Sequence, residues 1–195
     1  MSLKLTLKNI SVLPNIFCYN GIHELHVKCK ERIDREIDIF EHVPTNSKIE
    51  YIDLSNCFLT RIPRGISKLI NLEIFSASGN EIIILDNVFI GITSLKSLDF
   101  SLNQITNIDR SIFDIVTLEN LDLSCNQIEL LPFNINNMSN RNLQIDLRIN
   151  PLRSNTELIT IRQVSQDILR NIRYEHTSNN KRKKEKGIYQ HELKH

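Results

Sequence analysis

A chain of 195 residues with 24 Lys and Arg against 23 Asp and Glu carries a formal net charge of +1. So small an imbalance gives no bulk field that would gather nucleic acid or a membrane surface. Hydrophobic residues at 41% and charged residues at 24% are ordinary for one soluble globular domain. No apolar run reaches the roughly 18 residues of a membrane span, and Met1 to Leu13 lacks the apolar centre of a secretory signal. The sequons Asn9-Ile10-Ser11 and Asn137-Met138-Ser139 are therefore expected to stay unmodified. The four cysteines, Cys18, Cys29, Cys57 and Cys125, then read as thiols, and the expected location is the cytosol or the nucleus.

Residues 1–47 hold two broken apolar patterns, Leu5-Leu7-Ile10-Val12 and Ile22-Leu25-Val27-Ile33. They read as degenerate turns that cap the apolar end of a longer stack. Lys28 to Arg35 is densely charged, with Ile33, Ile37 and Phe40 spaced for a helix face along one edge.

From residue 48 to 152 the pattern becomes regular. Leu72, Phe75, Ala77, Asn80 and Ile82 recur as Leu95, Leu98, Phe100, Asn103 and Ile105, and again as Leu118, Leu121, Leu123, Asn126 and Ile128. Ile49, Ile52, Leu54, Cys57 and Leu59 fit upstream with Cys in the Asn slot. Ile145, Leu147, Asn150 and Leu152 fit downstream. Asn80, Asn103, Asn126 and Asn150 stand 23, 23 and 24 residues apart. Five units in this spacing resemble the leucine-rich repeat, L-x-x-L-x-L-x-x-N/C-x-L.

The period has a mechanical reading. Each central L-x-L is a short strand with alternate side chains on opposite faces. The Asn follows at a bend, where its amide can bond backbone groups stripped of partners. Cys57, Asn80, Asn103, Asn126 and Asn150 are thus expected to form a buried structural ladder, with no catalytic role. A second apolar beat, Ile62-Ile66-Leu69 or Ile108-Ile112-Ile115, returns the chain to the next strand, with Phe89 and Phe113 filling the spine. Pro63 and Pro132 fall beyond the strands, where they remove no ladder bond. The expected fold is an α/β leucine-rich repeat solenoid: a short right-handed horseshoe, a parallel concave sheet and an irregular or 3-10 convex side, closed by a C-terminal capping helix.

That helix is expected over residues 153–175, where Leu158, Ile161, Val164, Ile168 and Ile172 recur at three- and four-residue steps behind Thr156 as N-cap. Residues 176–195 include Lys181-Arg182-Lys183-Lys184-Glu185-Lys186, a polar basic tail expected to be disordered.

The turn Leu59-Thr60-Arg61-Ile62-Pro63, and the close from Asn150-Pro151-Leu152-Arg153 to Ile168-Leu169-Arg170-Asn171-Ile172-Arg173, are similar to the cytoplasmic Ras-suppressor class of leucine-rich repeat proteins. The likeness covers about residues 48–175. It implies a non-catalytic adaptor, in a class often linked to small-GTPase or phosphatase signalling. Asp86 and Asp109 depart from it, standing where Pro is common.

The outward positions of the strands make the candidate binding face. One column is Asp53, Ser76, Asp99, Asp122 and Asp146. A second is Ser55, Ser78, Ser101, Ser124 and Arg148. A third is Tyr51, Ile74, Ser97, Asn120 and Gln144, edged by Glu50, Glu73 and Glu119. The partner-binding set is read as Tyr51, Asp53, Ile74, Ser76, Asp99, Ser101, Asn120, Asp122, Asp146 and Arg148. This acidic, hydroxyl-rich face suits a protein partner with a basic or polar surface, and Tyr51 suits a hot spot.

Other constellations are weaker. Cys18, His23, His26 and Cys29 are zinc-ligand types, but their spacing is no standard finger, and strand alternation would turn His26 away from Cys29. No Gly-rich phosphate loop stands among five glycines, and the six His lie only in the flanks. Catalysis, metal and cofactor are not expected. Two alternatives remain beside the interaction module: a nucleus- or nucleic-acid-associated protein acting through the basic tail, or a structural subunit of a larger complex. The partner's identity and the oligomeric state are open.

Overall fold

The computed structural model describes residues 3–8, 21–29, 40, 42–44, 46–131, 140, 142–152 and 171–174. Ten short strands run in chain order: β1 (Leu3–Lys8), β2 (Ile22–Lys28), β3 (Tyr51–Asp53), β4 (Ile74–Ser76), β5 (Ile84–Leu85), β6 (Ser97–Asp99), β7 (Asn107–Ile108), β8 (Asn120–Asp122), β9 (Gln144–Asp146) and β10 (Ile172–Arg173). Eight of them form one sheet in the order β1-β2-β3-β4-β6-β8-β9-β10, and β5 pairs β7 in a second sheet on the outer arc. Every pairing is parallel.

The register follows from the alternation. Ile52, Phe75, Leu98, Leu121 and Ile145 lie side by side in successive strands, each at most 1% exposed. A slip by one residue would turn this whole set to solvent. The interior is filled from both sides. Phe75 and Phe100, from the inner sheet, meet Phe89, from the outer arc, at ring separations of 5.4 and 5.9 Å, and each other at 5.7 Å.

Each of the five regular strands, β3, β4, β6, β8 and β9, is followed by a left-handed kink. Asn56, Gly79, Leu102, Cys125 and Ile149, one position before each ladder residue, have φ of 57, 68, 56, 56 and 59°. The kink directs the following side chain inward. Asn80, Asn103, Asn126 and Asn150 are all buried. The Asn80 carboxamide accepts from the Cys57 and Leu59 N–H groups at 2.9 Å and donates to the Leu54 and Ala77 carbonyls at 3.0 and 2.8 Å. In successive turns Asn103, Asn126 and Asn150 each accept from one N–H group, of Ile82, Ile105 and Ile128, and donate to two inward carbonyls in the same way.

The outer arc carries two 3-10 turns, Arg64–Lys68 behind Pro63 and Arg110–Asp114 behind Asp109. The Asp109 carboxylate accepts from the Ser111 N–H, which satisfies one bare donor at the turn's start. Gly65 faces the Phe40 backbone so closely that an added Cβ would stand 2.3 Å from the Phe40 carbonyl oxygen.

Two expectations meet a different structure among the described residues. The described residues contain short 3-10 turns and no α-helix, so over them the architecture is a parallel β-solenoid and the α/β label finds no support there. The capping helix placed over residues 153–175 lies outside the described residues between 153 and 170. At its far end Ile172 and Arg173 form β10, paired with Ile145 and Asp146 of β9. Ile172 fits an i, i+4 helical beat, but it also fits an inward strand position, and the unsatisfied edge of β9 supplies hydrogen bonds that a helix end would not: Ile145 and Leu147 N–H groups donate to the Asn171 and Arg173 carbonyls. The sheet therefore has eight strands where the regular units account for five. The other three are β1 and β2, from the broken N-terminal patterns, and β10.

Candidate functional site

The inner sheet presents its alternate residues as three rows. The central row is Thr6, His26, Asp53, Ser76, Asp99, Asp122, Asp146 and Arg173. The row toward the strand starts is Lys4, Glu24, Tyr51, Ile74, Ser97, Asn120 and Gln144. Ser55, Ser78, Ser101, Ser124 and Arg148 follow two residues after the central row. All ten residues of the candidate set thus face the same side, none of them buried.

Hydrogen bonds fix this surface. Each Asp of the row accepts from the backbone N–H two residues on: Asp53 from Ser55, Asp99 from Ser101, Asp122 from Ser124 and Asp146 from Arg148, at 2.9 to 3.0 Å. These Asx turns satisfy donors at the strand exits. Hydroxyls bond across turns, Ser55 with Ser76 at 2.9 Å and Ser78 with Ser101 at 2.8 Å. Ser76 also donates to Asp99 at 3.3 Å.

The two ends of the acidic row are engaged by side chains of the same chain. At one end His26 Nδ1 lies 3.3 Å from Asp53, its Nε2 lies 3.7 Å from Glu24, and its ring stacks 4.9 Å from that of Tyr51. At the other end the Arg148 guanidinium grips Asp146, with Nη2 at 2.6 Å and Nε at 3.0 Å. Burial pushes the Asp53 carboxyl up, but hydrogen bonds from Ser55 and His26 outweigh it and hold the group below its ordinary value. Asp146 behaves alike, with Arg148 as the opposing influence. Burial, then the charges of Asp53, Glu24 and Asp99, push the Tyr51 phenol up, so it stays a hydrogen-bond donor at neutral pH. Between the ends, Asp99 and Asp122 meet backbone and hydroxyl groups, but among the described residues they form no ion pair that would neutralise them. They line a shallow open depression with Asn120, Gln144, Asp146 and Arg173.

His26 was missed as part of this face. Its signal was present, since the Leu25-Val27 alternation that buries those two residues turns His26 outward. Of the zinc-type residues, His23 donates through Nδ1 to the Gly21 carbonyl and His26 is engaged by Asp53, while Cys18 lies outside the described residues. Among the described residues no group of three or more His, Cys, Asp or Glu is placed to hold a metal ion, and no helix is long and apolar enough to cross a membrane.

Stacked parallel strands, a buried Asn or Cys at each bend of the regular turns and an irregular outer arc are the architecture of a leucine-rich repeat fold. The Leucine Rich Repeat family pattern matches residues 48–69 and 117–138. The fold is similar to a leucine-rich repeat protein of Leptospira interrogans, with TM-score 0.68 and 23% identity over 87% of this chain and 41% of that one. It is also similar to TLR13, solved as a complex with ssRNA13, with TM-score 0.62 and 19% identity over 76% of this chain and 21% of that one. The chain therefore spans less than half the length of either. No curated protein matches the sequence significantly.

Proposed function

We propose that the chain is a non-enzymatic interaction module that docks a protein partner on its concave sheet. Leucine-rich repeat folds commonly serve protein–protein interaction. The observation that carries the reading is the charge arrangement: a hydrogen-bonded acidic row whose end carboxylates, Asp53 and Asp146, are engaged by His26 and Arg148 and whose central pair, Asp99 and Asp122, meets no cationic side chain among the described residues. A partner supplying Lys or Arg there completes the surface, and Tyr51 and Ile74 offer apolar contact in adjacent strands.

Spacing favours a helix as the docking element. Three successive strands span about 9.6 Å at about 4.8 Å per strand. Helix positions i, i+4 and i+7 span about 10.5 Å. Same-face residues of an extended chain, i, i+2 and i+4, span about 13 Å and drift out of step. The acids also disfavour a phosphate backbone on this face, so the RNA bound by TLR13 is not carried over. An adaptor role like that of the Ras-suppressor class rests on the Leu59 to Pro63 turn and belongs to this same proposal.

The test compares cross-linking mass spectrometry of the tagged chain with that of the Asp99→Lys, Asp122→Lys variant. Asp99→Asn, Asp122→Asn serves as a fold control, because an amide oxygen still accepts from the Ser101 and Ser124 N–H groups. Cross-links at the central row that vanish on charge reversal support the proposal. Cross-links that persist, or that fall on other faces, overturn it.

A further inference from the structure

The junctions between turns are unequal. From Asn80 onward each is closed by a buried carboxamide that accepts from one or two N–H groups and donates to carbonyls of two turns. At the junction of β2 with the first regular turn, Cys57 holds that slot. Its thiol offers one hydrogen, shared between the Val27 carbonyl at 3.4 Å and, more weakly, the Ser55 carbonyl at 3.7 Å. A thiol is a weak donor, so this is the least securely bonded junction of the ladder. A second cysteine stands there. Cys29 follows Val27 by two residues, shares its inward side and packs partly buried against the core. Because the Cys57 thiol reaches the Val27 carbonyl, two residues before Cys29, the two thiols stand close enough to influence each other's ionisation.

We infer that Cys29 and Cys57 are an oxidisable pair whose disulfide staples the N-terminal turn of the sheet to its first regular repeat. Thiols this near on adjacent turns need little backbone movement to bond, and the bond falls where the non-covalent ladder is weakest. The chemistry is thiol–disulfide exchange with a low-molecular-weight disulfide such as glutathione disulfide. The part-exposed Cys29 thiolate attacks one glutathione sulfur and expels a glutathione thiolate. The Cys57 thiolate then attacks Cys29 Sγ and expels the second. Two protein thiols and one glutathione disulfide become one protein disulfide and two glutathione thiols, so two electrons leave the protein. Burial raises both thiols, that of Cys57 far above its ordinary value. The pair is therefore quiet at neutral pH and its closure accelerates as pH rises.

The experiment treats the full chain with glutathione disulfide in mildly alkaline buffer and maps its peptides without reduction. The expected product is a Cys29–Cys57-linked peptide lacking two hydrogens and carrying no glutathione. Glutathione retained on Cys29 beside a free Cys57, or linkage of either residue to Cys18 or Cys125, overturns the pairing. In Cys29→Ser, Cys57 is expected to stay a free thiol, and its modification at an undiminished rate overturns the route through Cys29. The oxidised wild type is expected to show slower amide exchange in β2 and β3 than the reduced form, and equal exchange overturns the staple.

Discussion

Replacing Asn103 with Ala tests whether the carboxamide ladder holds the turns together. Its oxygen accepts from the Ile82 N–H at 3.0 Å, and its nitrogen donates to the carbonyls of Ala77 at 2.9 Å and Phe100 at 3.1 Å. Asn103 is 7% exposed, so water cannot readily replace it. Its loss orphans the buried Ile82 N–H at a cost of about 1–3 kcal/mol and removes two further bonds worth about 0.5–1.5 kcal/mol each, because the Ala77 and Phe100 carbonyls still accept from Asn80 and Asn126; together that is about 2–5 kcal/mol. Against a total stability on the order of 10 kcal/mol that is a severe loss. Asn103→Cys, which copies the residue at position 57, restores one weak carbonyl bond and should lose roughly half as much. Asn107→Ala, at an exposed position of β7, should stay within about 0.5 kcal/mol. Guanidinium unfolding followed by circular dichroism measures all three. A loss below about 1 kcal/mol for Asn103→Ala, indistinguishable from Asn107→Ala, would refute the reasoning.

Gly65→Ala drives a methyl group into the Phe40 backbone and should destabilise by about 1–3 kcal/mol, whereas Gly21→Ala, with nothing within 4 Å, should be neutral in the same titration. Ile149 is a β-branched residue at φ 59°, a region that L-residues populate at a cost of about 1–2 kcal/mol. Ile149→Asn should therefore raise the unfolding midpoint, and a lowered midpoint would show that the side chain's contacts outweigh the strain. Asp86 has one carboxyl oxygen buried without a hydrogen-bond partner, and burial raises its pKa against the opposing pull of Arg64. A raised folded-state value means that its contribution to stability is greatest in acid and is lost as pH rises through that value. Asp86→Asn should thus stabilise the protein at neutral pH and leave acid stability unchanged, as thermal melts across a pH series would show.

The repeat and its inward residues were legible because one physical rule, alternation on a short strand followed by a bend, acts identically in every turn. Asn80 and Asn103 announce their role by position alone. The two ends were harder to read. Leu25 and Val27 carry the same alternation as Ile52 and Leu54, but no Asn follows them, and strand and cap then look alike. Ile172 satisfies a helical and a strand period at once, and only the open edge of β9 decides between them. For the concave face, sequence supplied the columns. It could not supply the pairing of His26 with Asp53, because the partners are 27 residues apart and their register depends on how an irregular segment closes.

The register Asp122↔Asp146 is kept although that unit is one residue longer than its neighbours, as Tyr51↔Ile74 and Ser97↔Asn120 are kept at 23. Strand alignment is thus insulated from the length of the intervening arc. In evolutionary terms the gain or loss of a whole unit by unequal recombination would leave every remaining strand opposite an equivalent neighbour. The number of rows, and so the length of ligand they can grip, can change without the inner sheet being redesigned.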